Sequence, residues 1–365
     1  LCKCIKGNRT FAVFFLVISS LCNAGKSHGG VIKTVIILYM FSTVLAAVIA
    51  VFASMAFPVK MTLANAATDT SAPQGIVEVL NNLLLNVVAN PVSSLVNANY
   101  VGILMWAVLL GLAFRVADKM TKKVLADVAD GISMVVTWII NLAPFGIFGL
   151  VFNTVSTNGL DIFTTYGKLL ILLVGCMLFI YFVTNPLLVY WCIRQNPYPL
   201  IFHCLKRSAL TAFFTRSSAA NIPVNMKVCE EMGLDRDTYS VTIPLGATIN
   251  MDGAAITITV MTMATAFTLG IHVDIPTAII LSLLAALSAC GASGVAGGSL
   301  LLIPMACSLF GISDDISMQV VAVGFIIGVV QDSVETALNS SSDLLLSASA
   351  EFRQWRLEGK EIKFK

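Results

Sequence analysis

The chain has 365 residues, 57% of them hydrophobic and only 12% charged, with a net charge of +2. Soluble domains carry roughly 25% charged residues, so this composition, with a mean hydropathy of +0.88, excludes a protein wetted by water on all sides. Lipid is the natural solvent, and the length is better counted in membrane spans of about 20 residues than in soluble domains.

Taken in order, residues 1–10 (LCKCIKGNRT) form an irregular leader that resembles neither a helix nor a full signal peptide. The apolar stretch FAVFFLVISSLCNA that follows is short for a span, and we read this end as amino-terminally truncated, having lost a first span and part of a second. Longer apolar runs follow near 31–57, 77–114, 131–152, 162–193, 238–270, 276–311 and 316–350. If residues 24–33 face the cytoplasm and the spans alternate, nearly all short-loop Lys and Arg fall on that side, and only Lys60 and Lys168 fall outside. That bias sets orientation, so the carboxyl terminus is expected to be cytoplasmic. The run 77–114 contains Asn90-Pro91 and Asn97-Ala98-Asn99, which predict shorter helical pieces, and APFGIFG at 143–149 places Pro and Gly inside another span.

The second half differs. Polar or small-residue clusters interrupt its apolar stretches at TRSSAANIP (215–223), GATINMDGAA (246–255), CGASGVAGGS (290–299) and QDSVETALNSSSD (331–343). A lipid-facing helix could not carry these, because each unpaired polar group in hydrocarbon costs several kcal/mol. The four interruptions therefore predict one shared polar centre. Two broken segments, each paired with a longer helix bearing Asn and Asp, match the inverted-repeat pattern of secondary transporters.

Twenty acidic residues occur, and Asp252, Asp332, Glu335 and Asp343 are the ones inside apolar spans. Each costs about 2.5–3.5 kcal/mol at a helix centre, so cations must neutralise them. Asp332, Glu335, Thr336, Asn339 and Asp343 share one helical stripe. Its upper part offers a carboxylate for an ammonium group, and its lower part offers oxygen ligands suited to a hard cation such as Na⁺. Asn250 and Asp252, beside Gly246 and Gly253, make a second oxygen cluster. Ser217, Ser218 and the glycines of 290–299 suit the tips of two re-entrant hairpins, whose amides can bind a carboxylate. Nine scattered cysteines and three loop histidines offer no metal-ligand spacing. An intramembrane hydrolase lacks a base in these spans, and two gating hairpins around an occluded site argue against a channel.

At these residues the sequence resembles the dicarboxylate/amino acid:cation symporter family, and within it the bacterial sodium/serine-threonine branch, over about residues 11–350. The carriers of the resemblance are TRSSAANIPVNM, IPLGATINMDGA, CGASGVAGGS and QDSVETALNSSSD, in that order. The resemblance implies an all-α polytopic membrane protein with a glutamate-transporter-like fold, two re-entrant helical hairpins and broken helices. It implies a trimerising scaffold over 11–195, a transport core over 196–350, a cytoplasmic tail over 351–365, and residence in the bacterial inner membrane. By the same resemblance Asp343, with carbonyls of Gly246, Asn250 and Asn339, forms one sodium site. Thr248 with carbonyls around Ala289, Cys290 and Ala292 forms a second, and Tyr39, Ser42 and Thr43 with Asn250 and Asp252 form a third. Asp332 holds the substrate ammonium group, Asn339 and the amides near Ser218 its carboxylate, with Arg216, Ser217, Val295, Glu335 and Thr336 alongside.

Departures from the family pattern narrow the implied substrate. Transporters of acidic amino acids carry Arg where this chain has Glu335 and Thr where it has Ala254. An acid at 335 repels a second substrate carboxylate but accepts a hydrogen bond from a small hydroxyl side chain, and Arg216 is expected to offset Glu335 or Asp332. Ala296 replaces a family proline in the second hairpin. The implied activity is sodium-coupled import of small neutral amino acids, serine and threonine first, with alanine or an inactive truncated relative as the alternatives.

Overall fold

A computed structural model describes residues 30–61, 63, 88–96, 100–141, 161–292 and 297–362, with isolated positions at 14, 15, 18, 19, 22 and 85. The expected leader, the 11–24 stretch apart from those positions, the APFGIFG segment and Val295 lie outside the described residues. Among those described, the secondary structure is helical and contains no strand. Four helical segments are long and apolar enough to cross a membrane: Gly30–Ala56, Tyr166–Ile193, Arg236–Thr268 and Asp314–Leu357. They coincide with four of the apolar runs read from the sequence.

Among the described residues helix α1 (Gly30–Ala56) is followed by the short α2 (Pro91–Val96) and α3 (Tyr100–Ala113); the 77–114 run is interrupted at Asn90, where Pro91 opens α2, and Asn97 to Asn99 lie outside the described residues. Helix α4 (Lys119–Asn141) begins well before the apolar run at 131 that marked it. The reason is local: KKVLADVAD has good helix formers, and Asp118 caps the start by accepting from the Thr121 N–H at 2.8 Å. Hydropathy alone misses such a polar helical start.

Helix α5 (Asp161–Phe179) passes through a π-helical turn (Ile180–Thr184) into α6 (Asn185–Ile193). Pro186 has no N–H to give the preceding turn, and the Tyr198 hydroxyl approaches the Phe182 carbonyl at 3.4 Å. Next come α7 (Tyr198–Cys204), α8 (Leu210–Thr215) and α9 (Ser218–Glu231), where Arg207 pairs with Glu231.

Helices α10 (Arg236–Ile249) and α11 (Asp252–Thr268) belong to one span broken at Asn250-Met251. Helix α11 is buried on every side, from Asp252 to Ala266, and packs against α1, α5, α12 (Ile275–Ala289), α13 (Ile303–Ser308) and α14 (Asp314–Leu357). It is therefore the centre of the fold. Its hydroxyls Thr257, Thr259, Thr262 and Thr265 are all fully enclosed.

Helix α14 has 44 residues, about 66 Å at 1.5 Å per residue, roughly twice the hydrocarbon thickness. It runs on past residue 350 to Leu357, where Arg353 lies 5.4 Å over the Trp191 ring and Glu351 accepts from the Asp235 N–H at 2.7 Å. Large apolar side chains such as Phe41, Phe52, Ile171, Leu187, Phe202 and Val329 face outward, as a lipid-solvated surface requires.

Candidate functional site

The break at Asn250-Met251 organises the polar centre. Asn250 (φ −98°, ψ 80°) and Met251 (φ −120°, ψ 53°) leave the helical region, so the first N–H groups of α11 lose their intrahelical acceptors. Side chains from two other helices replace them. The Met251 N–H donates to Thr43 Oγ1 of α1 at 3.2 Å, and the Gly253 N–H donates to Asn339 Oδ1 of α14 at 2.7 Å. Asp252 opens α11, where the positive end of the helix dipole favours a carboxylate.

Around Asp252 the expected α1 residues assemble. Ser42 donates to Oδ2 at 2.7 Å, while the Thr43 hydroxyl shares its one proton between Oδ1 at 3.2 Å and the Tyr39 carbonyl at 3.0 Å, and the side chains of Ser42, Thr43 and Asp252 are fully buried. Tyr39 donates to the Asp343 carbonyl at 2.8 Å, tying the same helix to α14. Asn185 of α6 stands 3.5 Å from Ser42, and sequence reasoning had not singled it out.

Asp343 is equally buried but less well served. Its Oδ1 accepts from Asn250 Nδ2 at 2.8 Å, while its Oδ2 and Asn250 Oδ1 have no hydrogen-bond partner among the described residues. Asn250 also donates to Ser342 at 2.8 Å. Two orphan acceptor oxygens in a buried place are an open coordination problem, because such atoms are almost always paired. Gly246 makes the approach possible: a Cβ there would lie 2.8 Å from Asp343 Oδ1 and 2.9 Å from the Tyr39 hydroxyl.

Thr248 is half-buried on α10 with its hydroxyl turned back to the Leu245 carbonyl at 2.7 Å. The end of α12 adjoins it: Cys290 Sγ reaches the Ile249 carbonyl at 3.8 Å, with Ala289 and Ala292 buried.

The other end of the α14 stripe carries Asp332, Glu335 and Thr336, all buried. Asp332 Oδ1 accepts from the Gly297 N–H at 3.2 Å, and the Arg216 charge reaches Asp332. Arg216 sits between α8 and α9 in the left-handed region (φ 51°, ψ 35°), a conformation costly for a side chain with a Cβ. Ser217 caps α9 by accepting from the Ala220 N–H at 3.2 Å, and Ser218 is buried at its first turn. The Thr336 hydroxyl donates back to the Asp332 carbonyl at 2.8 Å.

Asn339 and Glu335 have partners inside the protein as well. Asn339, expected to face a substrate carboxylate, has its amide engaged inside the protein with Gly253 N–H and, at 3.4 Å, Met251 Sδ; the helix break needs an acceptor there. Glu335 is not bare. Its Oε2 accepts from Thr257 at 2.7 Å, Ser299 at 2.9 Å and the Gln331 amide at 2.5 Å. A Cβ on Gly253 would lie 2.9 Å from the Glu335 Cα, so α11 and α14 touch backbone to backbone here. Sequence reasoning missed this trio, although Gln331 stands four residues before Glu335 on the same helical face, where such pairs meet.

The model of the Sodium:dicarboxylate symporter family matches residues 4–351. The chain is also 58% identical over 359 residues to the "Serine/threonine transporter SstT" of Bifidobacterium adolescentis, across 98% of this chain and 84% of that protein. The protein is thus a membrane protein of the transporter type, and it belongs to the sodium:dicarboxylate symporter family.

Proposed function

We propose that this chain is a sodium-coupled symporter that imports small neutral amino acids, serine and threonine first, by alternating access. The observation that carries the reading is the pair of unpartnered oxygens, Asp343 Oδ2 and Asn250 Oδ1, at a helix break lined by other oxygens. Burying an anion without a counter-charge is prohibitive, and a desolvated Na⁺ is the ligand that this set of acceptors suits. Asp343, Asn250 and the carbonyls of Gly246 and Asn339 hold one ion. Thr248 with carbonyls from Ala289 to Ala292 holds another, and Asp252 with Tyr39, Ser42 and Thr43 forms a third place.

Four buried carboxylates, with Arg216 acting on Asp332, leave the centre strongly negative. An amino acid's ammonium group at Asp332 offsets part of that charge, with the amides near Ser218 taking its carboxylate. Glu335 stands where an acidic side chain would have to be accepted, and its charge excludes one. The name of the Bifidobacterium relative supports the same substrates. Residues around 215–218 and 290–299 then act as re-entrant hairpin tips of a transport core over 196–350. The earlier helices supply a scaffold in a homotrimer of the bacterial inner membrane, with the carboxyl terminus cytoplasmic. Inward movement is driven by about 2.3 kcal/mol per charge per 100 mV plus the sodium gradient.

The test is uptake of labelled serine into proteoliposomes. An inward sodium gradient should raise uptake at least about tenfold over choline, threonine should compete and aspartate should not. Sodium-independent uptake, or aspartate carried in preference to serine, would overturn the reading.

A further inference from the structure

Three hydrogen-bond donors from three separate segments converge on a single oxygen of Glu335. Thr257 comes from the middle of α11, Ser299 from the 3-10 turn Ser299–Leu302 preceding α13, and Gln331 from α14 itself. Gln331 Nε2 additionally donates to Thr257 Oγ1 at 2.8 Å, so the donors are bonded to each other as well as to the acid. Thr257 and Gln331 are fully buried, and Ser299 is buried to 1% exposure. Among the described residues no hydrogen bond reaches the other oxygen, Oε1. A carboxylate with two to three charge-assisted bonds to one oxygen has its plane fixed, and such bonds are the stronger kind.

We propose that Thr257, Ser299 and Gln331 are positioning residues for substrate selectivity: by holding Glu335 through Oε2 they leave Oε1 as a single acceptor for the hydroxyl of the transported amino acid. The inference rests on the serine/threonine reading above and deepens it. A site built to receive a hydroxyl discriminates strongly against the analogue that lacks one, since its acceptor is then left unpaired. A loosely held Glu335 could rotate to bond Thr257 or Ser299 with either oxygen, and that discrimination would shrink. The trio therefore separates serine from alanine, two substrates of nearly equal size, by acting through Glu335.

The experiment measures KM for serine and for alanine in sodium-driven proteoliposome uptake by the full chain. Thr257→Val and Gln331→Met should each raise the serine-to-alanine KM ratio about tenfold, the size expected when a charge-assisted bond is lost. Ser299→Ala, the smallest change, should move the ratio in the same direction, and Thr257→Ser should return it to the unsubstituted value. Thermal melting of the purified variants separates misfolding from altered selectivity. Should serine and alanine KM rise together, or Thr257→Ser fail to restore the ratio, the trio is only structural and the inference is wrong. Should the unsubstituted protein carry no serine, the underlying functional reading fails first.

Discussion

Asp252 and Asp343 are two buried aspartates at one helix break, and they are treated differently. Both oxygens of Asp252 are closed by hydroxyls from α1, at 2.7 and 3.2 Å. Asp343 has one oxygen closed by Asn250 and the other with no partner among the described residues. Their charges lie near enough to act on each other. The contrast is one of availability: Asp343 keeps an acceptor that the chain leaves open, whereas an ion at Asp252 has to share its carboxylate with Ser42 and Thr43.

The largest expected effect follows from the open aspartate. Asp343→Asn removes a unit charge worth several kcal/mol at contact distance even at an effective dielectric of about 20, so sodium affinity in serine uptake should fall at least about 100-fold. A variant with unaltered sodium dependence would erase the distinction between the two aspartates. Next, Gly246→Ala forces a Cβ against Asp343 Oδ1 and the Tyr39 hydroxyl. Overpacking of this kind costs about 1–3 kcal/mol, and the half-saturating sodium concentration should rise roughly in step. Gly175→Ala, with nothing within 4 Å of its Cβ, is the control and should leave sodium dependence unaltered.

The closed aspartate should respond more modestly. Thr43→Val removes both a donor to Asp252 and the acceptor for the Met251 N–H, and should lower thermal stability by about 2–3 kcal/mol. Ser42→Ala removes one bond to Asp252 and should cost about 1.5 kcal/mol. The order of these two, read by melting in detergent, sharpens the claim that Thr43 also holds the break. Asn185→Ala should do least, about 0.5 kcal/mol or below, because its 3.5 Å contact to Ser42 is at the limit of a hydrogen bond.

Much of this centre was readable in the chain. The spacing of Asp332, Glu335, Thr336, Asn339 and Asp343 placed them on one face of a helix, and all five are buried on α14. Glycine beside Asn250 and Asp252 announced the broken span, now seen at Asn250-Met251. The pairing of Ser42 and Thr43 with Asp252, more than 200 residues away in sequence, came from family resemblance, since no local period encodes it. Thr257 and Ser299 were passed over for the same reason. Each looks like an ordinary hydroxyl in a small-residue run, and only packing brings them to Glu335. The start of α4 was hidden because hydropathy tracks solvent and not helix propensity.

The two amides at the break have a mechanical consequence. Met251 is fastened to α1 and Gly253 to α14, so re-forming a continuous span would strip both anchors at once. Sliding α1 away would strip the first. Helix α1 is therefore tied to the break between α10 and α11 despite standing early in the chain, and a displacement of α11 relative to α1 would cost the Met251 bond.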